Sequence, residues 1–310
     1  MLVQKLTQAF LTTAATGALV LGLGIGSANA ISSPTSLLIG GANHLSDNSA
    51  EWLINNVGSS DIVDIGDELR GVAAIGTIEN AAFPTAQDIG GQTNYSEITV
   101  LFDILVTGKA GGVGGTGTGC SALLPCIFTF SPAPGFAIEA TSFGFSNTTG
   151  AMAAFFVDPA NDYTRIGTKA QDVASATGGT PFWLFGKPVG DLDDFWFASA
   201  ATDNITLAGA AAPGTPFGQI SAGLDLLSRV AGPALGFLPC TNILTFTNAI
   251  AQACGNGGLQ SRDANVAVGG ATSFDDVNFN VNVVPEPGSL LLLGTGLLGF
   301  AGFKRRRARS

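Results

Sequence analysis

Val277-Asn278-Phe279-Asn280-Val281-Asn282-Val283 alternates apolar and polar residues without a break. Successive side chains of a strand point to opposite faces, so this period of two predicts a β-strand with one buried face and one face made of an asparagine ladder. Pro285 follows at once and cannot continue a sheet, so Val284 to Gly288 is expected to be extended and exposed, the strand holding the segment after it at the edge of the sandwich. Ile98 to Val106 is the second informative stretch: seven apolar residues surround Asp103, the pattern of a central strand buried on both faces.

Outward from these two strands, Ile31 to Gly41 reads as a lead-in strand and Asp61 to Gly71 as a loop feeding a strand at Val72 to Glu79. Ile127 to Phe130, Phe136 to Phe145 and Ala151 to Val157 have strand composition, separated by Pro-Gly, Asn-Thr-Thr-Gly and Asp-Pro punctuation. Asn161 to Thr180 is polar and loop-like. Phe182 to Phe185 and Phe195 to Phe197 read as two aromatic strands around an acidic turn. Helical spacing of Ile220, Leu224 and Leu227 predicts a helix over Gly218 to Val230, ended by Gly232-Pro233, and Asn242 to Cys254 suggests a second, short one. Turn signals about every ten residues are those of a sandwich. The expected class is all-β: a mainly antiparallel β-sandwich or jelly-roll-like ectodomain with one or two short helices.

Composition narrows the function classes. The chain has 310 residues, 43 of them glycine, about twice ordinary usage, which favours turns over long helices. Residues 31–284 hold seven basic against 22 acidic residues, a balance of −15. That balance argues against nucleic acid and anionic lipid as partners and leaves cations and neutral sugars. Gly112-Val113-Gly114-Gly115-Thr116-Gly117 matches the dinucleotide fingerprint in form, but Pro125 stops the chain before the required helix could form, so Gly108 to Gly119 reads as a loop.

Four cysteines, Cys120, Cys126, Cys240 and Cys254, allow three disulfide connectivities. The local pairs are favoured, each within one loop-like or hairpin-like segment and each stabilising by roughly 2–3 kcal/mol through loop entropy. Their spacing does not suit zinc, and His44, the only histidine, offers no partner for a catalytic cysteine.

Both termini carry handling signals. Lys5, the apolar run Leu11 to Ile25 and Ala28-Asn29-Ala30 form a secretory signal peptide over residues 1–30, addressed to the secretion machinery and signal peptidase. At the other end Val284-Pro285-Glu286-Pro287 precedes an uncharged run, Leu290 to Phe303, and the basic residues Lys304, Arg305, Arg306, Arg307 and Arg309. That run spans roughly 21 Å, a marginal, short transmembrane helix, and the cations set its orientation with everything upstream outside the inner membrane. Residues 285–310 resemble the PEP-CTERM sorting signal of exosortase substrates. The resemblance implies that an integral-membrane exosortase recognises the Pro-Glu-Pro region, removes the tail, and releases or transfers the protein to the cell surface or extracellular matrix. Gly66-Asp67-Glu68-Leu69-Arg70-Gly71-Val72 and Asp194-Phe195-Trp196-Phe197 are in addition loosely similar to flocculation-associated members.

Within the ectodomain, residues 31–284, the candidate ligand contacts are Trp183, Asp191, Asp193, Asp194 and Trp196. Clustered carboxylates on a turn suit calcium, and an exposed tryptophan suits stacking on a sugar ring, although no calcium-loop pattern is present. No catalytic motif is recognisable, and paired carboxylates for glycoside hydrolysis are a matter of spatial separation that sequence does not carry. The expected protein is a non-enzymatic, matrix-associated component with an exopolysaccharide partner and no obligatory cofactor; a carbohydrate-binding module and a secreted polysaccharide hydrolase are the alternatives. N-terminal sequencing of the exported product is expected to start at Ile31, whereas a start at Met1 contradicts the signal peptide.

Overall fold

The computed structural model describes residues 37–54, 62–89, 96–160, 162–163, 168–204, 216–241, 248–260 and 274–285. The expected signal peptide, the tail from Glu286 onward, and residues 242–247 of the expected second helix lie outside them. Two long strands anchor the rest: β1 (Gly41–Ile54) pairs antiparallel with β2 (Glu68–Asn80) along its whole length. A short β3 (Gln87–Asp88) follows, then β4 (Glu97–Gly112), whose first eight residues are all buried, as the apolar run around Asp103 predicts. The Gly-rich segment holds a 3-10 turn and β5 (Thr116–Thr118), and β6 (Cys126–Pro132) returns along β4.

After helix α1 (Phe136–Ser142) come β7 (Ala151–Asp158), helix α2 (Lys169–Ala176), β8 (Thr180–Gly186) and β9 (Phe195–Ala200). The remaining strands are β10 (Pro216–Arg229), β11 (Ala234–Gly236), β12 (Leu238–Thr241), β13 (Asn248–Ala251), β14 (Ala253–Gln260) and β15 (Phe274–Val284). Apart from the small β12–β13 hairpin, the described strands join one 13-stranded, mainly antiparallel sheet. Its ladder closes on itself: β4–β2–β1–β15–β14–β10 is completed by two doublets, β6–β9 and β7–β8, that each bridge β4 to β10. The expected layers are therefore continuous at their margins, a closed circuit around one core.

The side-chain alternation explains the packing. Ile98, Val100, Phe102, Ile104 and Val106 of β4 point inward to meet Val277, Phe279, Val281 and Val283 of β15 in the main cluster. Leu101 of the same strand points outward and is covered by Phe136 and Ala140 of α1, with Ala176 of α2 in the same second cluster. Thr168 caps α2 through a reciprocal pair with Gln171. A third cluster packs β12–β13 on Phe195. The Cys120–Cys126 and Cys240–Cys254 disulfides form, the second stapling β12 to β14.

Several expectations are corrected. Gly218 to Val230 is strand β10, not a helix: Ile220, Ala222 and Leu224 point inward at period two, and a bulge between Leu226 and Ser228 turns Leu227 to the outer cluster. Ala249, Ala251 and Ala253 lie in β13 and β14 rather than a helix. Phe136 to Ser142 is helical where a strand was expected, and the polar 161–180 segment contains α2. Of the expected lead-in strand, residues 31–36 lie outside the described residues, and residues 37–40 precede β1 without being strand. β15 lies between β1 and β14. Because β1 and β15 run antiparallel with Gly41 opposite Val283, the chain enters and leaves the domain at one pole, with Pro285 packed on Gly40.

Gly71 faces inward under the Phe102 ring, where an added Cβ would lie 2.1 Å from Cζ. Gly71→Ala is expected to destabilise the protein by roughly 1–3 kcal/mol in urea unfolding through overpacking. Gly258→Ala, with nothing within 4 Å, should change it by less than about 0.5 kcal/mol.

Candidate functional site

The linker from β8 to β9 forms a tight turn because Gly190 adopts φ +94 and the Asp191 amide donates to the Pro188 carbonyl at 3.1 Å. Asp193 then reaches out of the linker, its Oδ2 accepting from the Ile250 amide of β13 at 2.8 Å. Asp194 turns in and is only 3% exposed. The two strands flanking the linker do not pair with each other: β8 pairs with β7 and the second half of β10, β9 with β6 and the first half of β10.

This arrangement separates the sequence-derived constellation. Trp183 is fully buried inside, its Nε1 donating to the Pro233 carbonyl at 3.2 Å, and Trp196 is 3% exposed beside Phe102 at a ring distance of 5.7 Å. Neither tryptophan presents a face to solvent, so the sugar-stacking role expected of them is not available; large aromatic side chains are worth more in this core. The acids instead gather with a residue the sequence did not mark. Asp191, Asp194 and Asp225 of β10 bring their carboxylate oxygens within 4.8 Å of one another. The only signal for Asp225 was a lone acid in the apolar run Leu224-Asp225-Leu226-Leu227.

Burial pushes the Asp194 carboxyl up to about 8, reinforced by Asp225, Asp191 and Asp193 and opposed by Lys187. Burial also raises Asp225, with Asp191 adding to the shift. A second acidic group, Glu97, Asp158 and Asp162, is differently supplied. There the Tyr163 amide donates to Glu97 at 3.0 Å and the Ala160 amide to Asp158 at 2.7 Å.

A different surface is formed by the outward side chains of β14, β15 and the adjoining ends of β1 and β2, from Ala42 to Ser46 and Thr77 to Glu79; the far halves of β1 and β2 carry Ala50, Trp52 and Val72 into the cluster beneath the helices. Asn256, Asn278, Ser46 and Thr77 line up across the four strands. Ser221 of β10 extends the row by donating to Asn256 at 3.0 Å. In the next row His44 Nδ1 lies 2.9 Å from Asn280 Oδ1, and a shallow polar pocket opens among Ala42, Asn43, His44, Glu79, Asn80 and Asn280. The asparagine ladder of β15 is thus half-exposed and continuous with its neighbours. At the opposite pole Lys109 bridges Asp64 and Asp203, both at 2.9 Å, and Asp203 also lines a cavity of about 70 Å³ with apolar residues such as Val106, Phe128 and Phe217.

Among the described residues no helix is long and apolar enough to cross a membrane. A family model described as the PEP-CTERM protein-sorting motif matches residues 283–307, overlapping the last two residues of β15. The motif indicates an exported protein whose membrane-anchored precursor is processed by an exosortase. No curated protein and no solved structure matches the chain.

The raised Asp194 has a defined pH signature. Between the ordinary carboxylate value near 4 and about 8, the folded state keeps a proton that the unfolded chain releases, so stability is greatest below that window and falls as pH rises through it. In chelator, the loss of urea stability from pH 5 to pH 8.5 should be smaller in Asp194→Asn than in the parent; an equal loss in both places its source elsewhere.

Proposed function

We propose that this exosortase-targeted protein is a non-enzymatic structural or adhesive component of the cell surface or extracellular matrix, acting in exopolysaccharide-associated aggregation, flocculation or biofilm. The observation that carries the proposal is the half-exposed, amide-rich outer face of β14, β15 and the adjoining ends of β1 and β2, which runs directly into the sorting segment. Amide side chains donate and accept together, as sugar hydroxyls do, so such a face can exchange its water for a neutral polymer without stripping ions. Each contact is weak. An extended polymer engages many copies at once, and avidity then supplies retention.

The carbohydrate-binding alternative shares this surface, since the polar pocket around His44 interrupts the ladder. Contact in either case is made through amides rather than through the buried tryptophans. The hydrolase alternative draws less support: Asp191, Asp194 and Asp225 line neither the His44 pocket nor the apolar cavity. The −15 balance of the ectodomain favours a neutral polymer over a polyanion.

Co-sedimentation of the purified protein with exopolysaccharide of the producing cells tests this. Replacing Asn278 and Asn280 together by Ala is expected to weaken retention roughly 5- to 30-fold, the equivalent of about 1–2 kcal/mol of hydrogen bonding. Ile138→Ala, on the exposed side of α1, should leave it unchanged. Unaltered retention of the double variant contradicts the proposal, and release of sugar fragments by the parent favours the hydrolase.

A further inference from the structure

The closed ladder divides at two places, and the two forks are filled by different chemistry. On β4 the partner changes from β7 to β6 around Asp103. There Arg70 supplies the charge: its guanidinium reaches Asp103 at 2.7 Å and holds Glu139 of α1 through two contacts of 2.6 and 2.7 Å. On β10 the partner changes from β9 to β8 between Gly223 and Asp225. At that fork three carboxylates, Asp191, Asp194 and Asp225, meet with no ion-paired cation among them.

Neither oxygen of Asp194 has a hydrogen-bond partner, although the side chain is more than nine-tenths buried, and Oδ1 of Asp225 is buried without one as well. Lys187 is close enough to be felt by Asp194 but makes no ion pair with it. A buried carboxyl without a donor is costly whether ionised or protonated, and the neighbouring Asp225 and Asp191 carboxylates add repulsion, although Asp191 is partly exposed and accepts from the Asp193 amide at 3.2 Å. At Asp103, Glu97 and Asp158 protein groups meet at least one oxygen of the carboxyl. Arg70 serves Asp103, and backbone amides serve Glu97 and Asp158. The third acid group contains Cys120 and Cys126, whose sulfurs are committed to a disulfide.

We infer that the β10 fork is a divalent cation site of the calcium class, with Asp194, Asp225 and Asp191 as its carboxylate ligands. The donor set is oxygen only, which selects a hard cation, and the sole histidine, His44, lies on β1. Ligands from a turn and a strand give the adaptable geometry that calcium accepts and that octahedral magnesium does not. The cation does at β10 what Arg70 does at β4. It joins the β8–β9 linker to the strand, and through the bond from the Ile250 amide to Asp193 it steadies the β12–β13 hairpin. Weak affinity suffices outside the cytoplasm, where millimolar calcium is the operating range of such modules.

The test uses the full chain purified in detergent, with equilibrium dialysis against calcium and thermal unfolding in calcium, in magnesium and in chelator. One calcium bound per chain with Kd of about 0.1–1 mM, and a Tm rise of roughly 3–8 °C at about 10 mM calcium, is the expected result. Magnesium should give a markedly smaller rise. Asp194→Asn is expected to cross over: higher Tm than the parent in chelator, because repulsion is relieved, and no rise with calcium. Asp191→Asn, on the partly exposed side of the fork, supplies the same calcium readout should Asp194→Asn fail to fold, while Glu79→Gln on the outer face keeps the parent's response. No calcium retained on dialysis, or a calcium-dependent Tm rise that survives in both fork variants, overturns the inference.

Discussion

The fold depends on the insertion of β15 between β1 and β14. Its inward residues Val277, Phe279, Val281 and Val283 fill the core, and its backbone completes ladders on both edges to strands that would otherwise be open. Gly255 of β14 leaves room for this, since the Phe279 ring lies 3.1 Å from where its Cβ would stand. Past Ser46 the ladder to β1 gives way to the buried Asp47 carboxylate, which accepts from the Val277 amide at 2.7 Å. Such a closure joins residues more than 230 positions apart, so the circuit cannot be complete until the last strand is in place.

That constraint connects the domain to its tail. β15 ends at Val284, Pro285 cannot extend the ladder, and the sorting motif begins inside the last two strand residues. Everything the core needs is therefore upstream of the segment that is removed. Gly40 and Pro285 lie side by side, at the pole opposite the Cys120–Cys126 loop and Lys109.

Legibility of the sequence followed the reach of each interaction. Val277 to Val283 and Ile98 to Val106 were readable because a strict period, or its absence, encodes which faces are buried. β10 was not, because Ile220, Leu224 and Leu227 fit a helical stripe as well as a bulged strand, and the choice is made by β9 and β14 on its two edges. α2 was readable in principle from its Thr168–Gln171 capping pair, and was hidden by the polarity around it. The aromatic runs were correctly seen as strands, yet which way Trp183 and Trp196 point depends on partners far away in the chain. The acidic turn was visible, but its strongest partner, Asp225, is brought to it only by the fork.

The proposed division of labour is that the tail directs the protein and the closed sheet, finished at Val284, carries its role after the tail has gone. Intact mass of the native product, from cells with and without exosortase, tests it most directly. With the enzyme, the chain should retain everything through Val284 and lack the apolar run and the basic cluster; without it, the chain should end at Ser310. A product ending at Ser310 in both would contradict the account.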